Sequence, residues 1–290
     1  MKHLILLIPV ISLLIISGCR EQGGKKGGGE ENLTTIKTLG LAYLEEFKHD
    51  EAEKEFRKFI KLAPGQKFGY ANLGLTLLRS GRYEEAKAEL LKAIEIDPQD
   101  PDTRLILATV YQMNDEAGKA ITELKTSLGF APGHVKTLYQ ITEMLAGKND
   151  PESKKERLRY LLSLSEIAPG NIVPLLSLAE FYVKEGMKDE ALEQLENILQ
   201  KFPEFPHEAT AFYDKTMTLL RKGDIENALI QFTVFHNYMK VYSPYQAGMV
   251  DLKGPGGSLI GFPLIRFDQP DPVKSEISGE PGSVIFQQGV

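Results

Sequence analysis

The sequence predicts an all-α fold, a solenoid of stacked helical hairpins. Three observations predict it. Pro64, Pro98, Pro132, Pro169 and Pro203 are spaced by 34, 34, 37 and 34 residues, a period that marks a repeat array and not one closed globule. Between the prolines, apolar residues recur at the helical spacing of three and four. Small residues recur at fixed offsets too: Gly40, Gly74, Ala108 and Ala179 in one helix of a unit, Ala52, Ala86, Ala120 and Ala191 in the other.

The elements follow in order. The first unit carries Ile36, Leu39, Gly40 and Tyr43, then Ala52, Phe56 and Phe59, with a break near His49. The second carries Tyr70, Leu73, Gly74 and Leu77, a break at residues 80–82, then Ala86, Leu90 and Ala93. The third carries Leu107, Ala108 and Tyr111, a break at Asn114 and Asp115, then Ala120, Leu124 and Ser127. Each reads as two amphipathic helices. The small residues let neighbouring helices approach, and each proline ends the second helix by removing a donor and restricting the residue before it. Asp100 is placed to cap a helix that Pro101 begins.

The fourth unit, from Val135, fits less well. It keeps Leu138, Ile141, Leu145, Leu161 and Leu164, but Arg157 stands where a small residue is expected and GKNDPE lengthens the turn. The fifth starts at Ile172. A sixth spans residues 209–239, offset by an insertion around Phe205 and Pro206.

This pattern resembles the tetratricopeptide repeat over residues 33–243, as five to six units. The resemblance implies a right-handed superhelix whose first helices line a concave groove. Carried over by offset, the groove positions are Lys37, Leu41, Phe68, Ala71, Asn72 and Leu75. Leu105, Thr109, Tyr139, Glu143, Leu176, Glu180, Tyr213 and Met217 continue the row. Some tetratricopeptide proteins clamp a C-terminal carboxylate with lysines and asparagines at these offsets. Here Lys37 is followed by Leu41 and Asn72 lacks its companions, so the resemblance does not extend to that clamp. The expected groove is apolar and aromatic, suited to an extended peptide or an amphipathic helix.

The N-terminus carries a second pattern. Lys2 precedes a thirteen-residue apolar run, Leu4 to Ile16, shorter than the ~20 residues that span a bilayer. Residues 1–18 therefore read as a signal peptide. The run ends in Ile16-Ser17-Gly18-Cys19, which resembles a bacterial lipobox. That resemblance implies cleavage after Gly18 and diacylation of Cys19. Cys19 is the only cysteine of the chain, so no internal disulfide forms and a role in anchoring suits it. Arg20 follows where an acidic residue would favour inner-membrane retention. The expected location is thus the outer membrane facing the periplasm, or the outer face of the plasma membrane in a single-membrane cell. Residues 19–32, rich in glycine and charge, read as a flexible leash.

After Ser243 the pattern changes. The sequence predicts a β-hairpin of residues 249–253 and 258–267 around the Gly-Pro-Gly-Gly turn at 254–257, packed as a cap, with residues 244–290 otherwise loosely ordered. The segment also resembles those that join tetratricopeptide arrays to β-propeller domains, though no propeller sequence follows.

Composition narrows the function. A net charge of −6 and a pI near 5.6 do not suit a nucleic-acid surface, which needs clustered positive charge. His3, His49, His134, His207 and His236 include no pair at helical metal spacing. There is no phosphate loop, and no carboxylate stands out from the turns and caps. We therefore expect no enzyme activity, no metal or other cofactor and no small-molecule substrate. The expected function is that of a membrane-tethered scaffold holding a peptide or helix of an envelope-assembly partner. Lipoproteins similar in this way act as pilotins, in outer-membrane protein insertion or as adaptors of peptidoglycan hydrolases. The alternatives are a glycan-capturing surface lipoprotein, disfavoured by the absence of tryptophan, and an accessory relative of the propeller-bearing proteins.

Overall fold

The computed structural model describes residues 32–253, and every regular element among them is an α-helix. Six helix pairs follow one another: α1 (Leu33–Glu45) with α2 (His49–Leu62), α3 (Lys67–Arg79) with α4 (Tyr83–Ile96), and α5 (Pro101–Met113) with α6 (Ala117–Phe130). Then come α7 (Val135–Ala146) with α8 (Pro151–Ile167), α9 (Ile172–Lys184) with α10 (Lys188–Lys201), and α11 (His207–Lys222) with α12 (Ile225–Met239). A thirteenth helix, α13 (Ser243–Lys253), closes the described chain. Each second helix packs on its own partner and on the first helix of the next pair, the nearest-neighbour stacking that defines a solenoid.

The periodic prolines act as the sequence implies. Each stands directly after the C-cap of a second helix: Ala63, Asp97, Ala131, Ala168 and Phe202. These caps have φ between −121° and −138° and ψ between 61° and 91°, outside the helical region that a following proline ring disfavours. Asp100 caps α5 by accepting from the Thr103 N–H at 3.0 Å, with Pro101 in the first turn. The turn within five of the six pairs contains one left-handed residue: Phe47, Gly81, Asp115, Gly186 and Gly223 in pairs one, two, three, five and six. Phe47 holds this conformation with φ 58°, against a cost of roughly 1–2 kcal/mol for an L-residue.

One apolar cluster runs from Leu44 to Leu252. The small residues set its spacing. A Cβ on Gly40 would lie 2.7 Å from the Phe56 ring, and one on Gly74 would lie 2.5 Å from Leu90 Cγ. The weak fourth unit is repaired by Arg157 itself. Its guanidinium lies 5.8 Å over the Phe181 ring, and its Nε donates to the Thr142 carbonyl at 3.3 Å. The arginine thus fills a small-residue position by spreading its stem and head over neighbouring helices. Ion pairs stitch successive units on the outside, among them Arg82–Glu53 at 2.5 Å, Lys125–Glu156 at 2.6 Å and Lys154–Glu185 at 2.9 Å. Exposed pairs of this kind contribute about 0–1 kcal/mol each.

Two features depart from the sequence reading. The sixth pair is turned relative to the others, because α12 packs on α9 of the fifth pair. Phe205, in the Pro203–Pro206 insertion, wedges against Tyr213 at 5.3 Å and Phe235 at 5.2 Å between ring centroids, and α11 buries Tyr213, Met217 and Leu220 while Phe212 and Leu219 are only partly covered. The second departure is α13. Residues 249–253, read as the first strand of a hairpin, form the end of this helix, and there is no strand among the described residues. The expected second strand, residues 258–267, lies outside the described residues, as do the signal peptide, Cys19, most of the linker and the rest of the tail.

Candidate functional site

The first helices carry the expected concave row, but most of it is covered. Lys37 and Glu143 are exposed, and Leu41, Phe68 and Glu180 are half-buried. Ala71, Asn72, Leu75, Leu105, Thr109, Tyr139, Leu176, Tyr213 and Met217 are all buried, Leu75 at 1% and Tyr139 at 8% exposed. These nine are therefore not an open lining, and charging Leu75 or Tyr139 would test folding, not binding. The cause is crowding by neighbours. α3 meets α2, α4 and α5, and α5 meets α3, α4, α6 and α7, so a first helix has little face left over. Tyr213 is core for a separate reason, the turned sixth pair, where its hydroxyl donates to the Leu195 carbonyl at 3.3 Å.

Polar groups on this row are mostly satisfied within it. Thr109 donates to the Leu105 carbonyl at 3.0 Å, and Gln140 donates to the Gln112 side chain at 2.8 Å. Asn72 donates to the Phe68 carbonyl at 2.8 Å, while its Oδ1 is buried with no partner. At the N-terminal end Lys37 Nζ sits 4.6 Å above the Phe68 ring, so the two residues form one cationic-aromatic patch.

At the other end the face is occupied by the chain itself. α13 packs on α9 and α7, the helices that carry Glu180, Leu176, Tyr139 and Glu143. The Tyr139 hydroxyl points at Met249 Sδ at 3.7 Å, and the Asn171 side-chain amide donates to the Gly248 carbonyl at 2.9 Å. Tyr245 meets His236 of α12 edge-on, with ring centroids 6.0 Å apart. Burial drives the Tyr245 phenol up to about 12, with Glu143 and Glu180 adding to the effect. Burial raises the Tyr139 phenol as well, with Glu143 as the next cause.

A half-buried acid–base pair lies beside this seat. His236 Nδ1 is 3.8 Å from Glu180 Oε2, beyond hydrogen-bond range, and its Nε2 is buried without a partner. Burial dominates and drives the imidazole down to about 4, against the attraction of Glu180. Burial also works against the charge on Glu180, but Lys184, donating at 2.5 Å, keeps its carboxyl below the ordinary value.

The sequence reading missed α13, Asn171 and His236. Asn171 carried a usable cue, since it directly precedes the first apolar residue of α9 and caps that helix by accepting from the Val173 N–H. Among the described residues no group of three or more His, Cys, Asp or Glu is placed to hold a metal ion, and no helix is long and apolar enough to cross a membrane. A trough of about 750 Å³ lies between α8, α9 and α10, lined by Leu162, Tyr182 and Gln194 among others and edged by Glu166, Glu190, Glu193 and Glu196.

Comparison with known proteins agrees with the fold. Tetratricopeptide-repeat sequence models match residues 38–66, 69–100 and 175–204. The chain carries tetratricopeptide repeats, and the helix pairs in these segments are their structural form. Among solved structures, it is similar to the MamA protein at 22% identity and TM-score 0.50, over 59% of this chain and 92% of that one. It is similar to YrrB, described as a tetratricopeptide-repeat protein with an unusual peptide-binding site, at 22% identity and TM-score 0.50, over 67% and 97% of the two chains. It is also similar to PilF of Pseudomonas aeruginosa at 15% identity and TM-score 0.52, over 76% and 97%. At these identities the likeness is one of fold. No curated protein matches the chain.

Proposed function

We propose that the chain is a non-catalytic interaction scaffold, tethered by lipid on Cys19 in a bacterial envelope, that holds a helix or peptide of an envelope-assembly partner on its concave side. The observation that carries the reading is α13: an amphipathic helix already seated across α7 and α9, where the sequence had placed the partner. A solenoid gives such a ligand a long rigid bed with little reorganisation on binding. The peptide-binding description of YrrB fits the same use. The covered state of Leu75, Leu105 and Leu176 narrows the entry to Lys37, Leu41 and Phe68 at one end and to the α13 seat at the other.

Two experiments test the reading. A photo-crosslinking residue at Lys37 or Leu41 is expected to capture one common partner in intact cells, while the same residue at Leu91, exposed on the second helix α4, captures none. Equal capture from Leu91 would remove the concave-face reading. For the tether, Cys19→Ser is expected to abolish acyl labelling and move the protein from the membrane to the soluble fraction. Two acyl chains hold a protein stably, at about 0.8 kcal/mol per buried methylene, and the serine variant carries neither. Undiminished acyl labelling of the serine variant would sink the lipoprotein assignment.

A further inference from the structure

α13 is the one described helix that belongs to no pair. It has 11 residues, a length at which an isolated helix is marginal in water, and it contains Gly248, which weakens it further. Its helical state therefore depends on the surface beneath it. Tyr245, Gly248, Met249 and Leu252 fall at helical offsets of zero, three, four and seven, a single face. That face is the one turned to the solenoid: Gly248 and Leu252 are buried, and Tyr245 and Met249 are half-buried. Gln246, Ala247, Val250 and Asp251 point away and are exposed.

The seat is specific. A side chain at Gly248 would overlap Asn171 Oδ1, so the helix crosses the start of α9 where only a hydrogen fits. The Asn171 amide fixes depth and register through the Gly248 carbonyl, and the Tyr139 hydroxyl meets the Met249 sulfur. The attachment is also slight. Its named contacts are one side-chain hydrogen bond, one sulfur contact, one ring contact, the buried Leu252 and the half-buried Tyr245 and Met249, against the extensive packing of every paired helix. Elements so held occupy the low-stability end of a fold.

We propose that α13 is a resident self-ligand of the concave face. The partner is then an amphipathic helix that carries the same face and displaces α13: an aromatic residue, a small residue three positions on, then a flexible apolar residue and leucine at four and seven. This inference deepens the proposed scaffold function and rests on it. α13 closes its own site until a competing helix takes the seat, and its covalent attachment sets the threshold, because a tethered ligand acts at an effective concentration near millimolar.

The test uses the full chain and a capped, fluorescent peptide of residues 243–253. The peptide is expected to bind the Gly248→Leu chain at least about tenfold more tightly than the unaltered chain, whose seat is filled. The same glycine change placed in the peptide is expected to abolish binding. Met249→Glu, which alters an α13 side chain and no solenoid residue, is expected to open the site in the same way, and both variants are expected to lose amide-exchange protection across residues 243–253. Equal peptide affinity for altered and unaltered chains, no binding to either variant, or unchanged protection of α13 would overturn the proposal. Capture from Lys37 and Leu41 in cells does not involve this seat, so failure here is distinguishable from failure of the scaffold reading.

Discussion

Phe56→Ala is expected to destabilise the first helix pair by roughly 3–5 kcal/mol. Phe56 is 0% exposed. Its ring fills the space above Gly40 and meets Phe68 of the second pair edge-on at 6.1 Å. Alanine removes the ring from the junction of α1, α2 and α3, and the backbones around it cannot close the gap without breaking their own contacts. Because a solenoid's stability is close to a sum of units and interfaces, the loss should appear as local opening of α1 and α2, not as a uniform fall in the melting temperature. Amide exchange is the suitable measurement. Protection in α1 and α2 is expected to drop by about a thousandfold, at about 1.4 kcal/mol per decade, while α9 and α10 change little.

The same site supplies its own control. Gly40→Ala alone should cost about 1–3 kcal/mol, since the new Cβ would press on the Phe56 ring at 2.7 Å. With Phe56→Ala already present, that methyl enters empty space. The double variant should therefore be less damaged than the sum of the two, by the coupling expected of residues in contact. Additive losses would show that the glycine is not there to admit the ring.

The parts of this molecule legible in the sequence are those set by local rules. Proline restricts the residue before it, so Pro64, Pro98, Pro132, Pro169 and Pro203 fixed where five second helices end. Gly40 facing Phe56 and Gly74 facing Leu90 were legible as small residues at repeat offsets. Exposure along the groove was not legible, because an offset identifies a helix face but not how many neighbours crowd it. Leu75 and Leu105 are covered by the helices stacked on either side of α3 and α5. α13 was hidden for a related reason. Met249 to Lys253 followed by Gly-Pro-Gly-Gly has the local signature of a strand and turn, and the helix is stabilised by α7 and α9 instead. The turned sixth pair follows from one insertion whose effect is geometric: Phe205 wedges between helices, and Tyr213 and Met217 rotate inward.

His236 gives the last large effect, and its sign follows from linkage. Burial lowers its imidazole to about 4 in the folded chain, against an ordinary value near 6.5. Between these values the unfolded chain binds a proton that the folded chain refuses, so unfolding takes up protons and stability falls with acidification. The contribution of the neutral ring is fully present above about pH 6.5 and is lost as the pH falls to about 4. A shift of that size corresponds to roughly 3 kcal/mol. The groups around the ring do not reverse the sign. Glu180 on α9 favours the charged imidazole, but Lys184 on α9 and Lys240 on α12 oppose it, and desolvation is the largest cause. From α13 the ring meets Tyr245, whose phenol stays neutral across this range. His236→Leu keeps an apolar side chain beside Phe232 and Tyr245 and removes the titration. Denaturant unfolding from pH 7 to pH 4 should show the unaltered chain losing roughly 3 kcal/mol more than the leucine variant, with the difference opening below about pH 6.5. Parallel curves for the two proteins would mean that the imidazole is hydrated or paired with Glu180, and that the junction of α9, α12 and α13 does not exclude water.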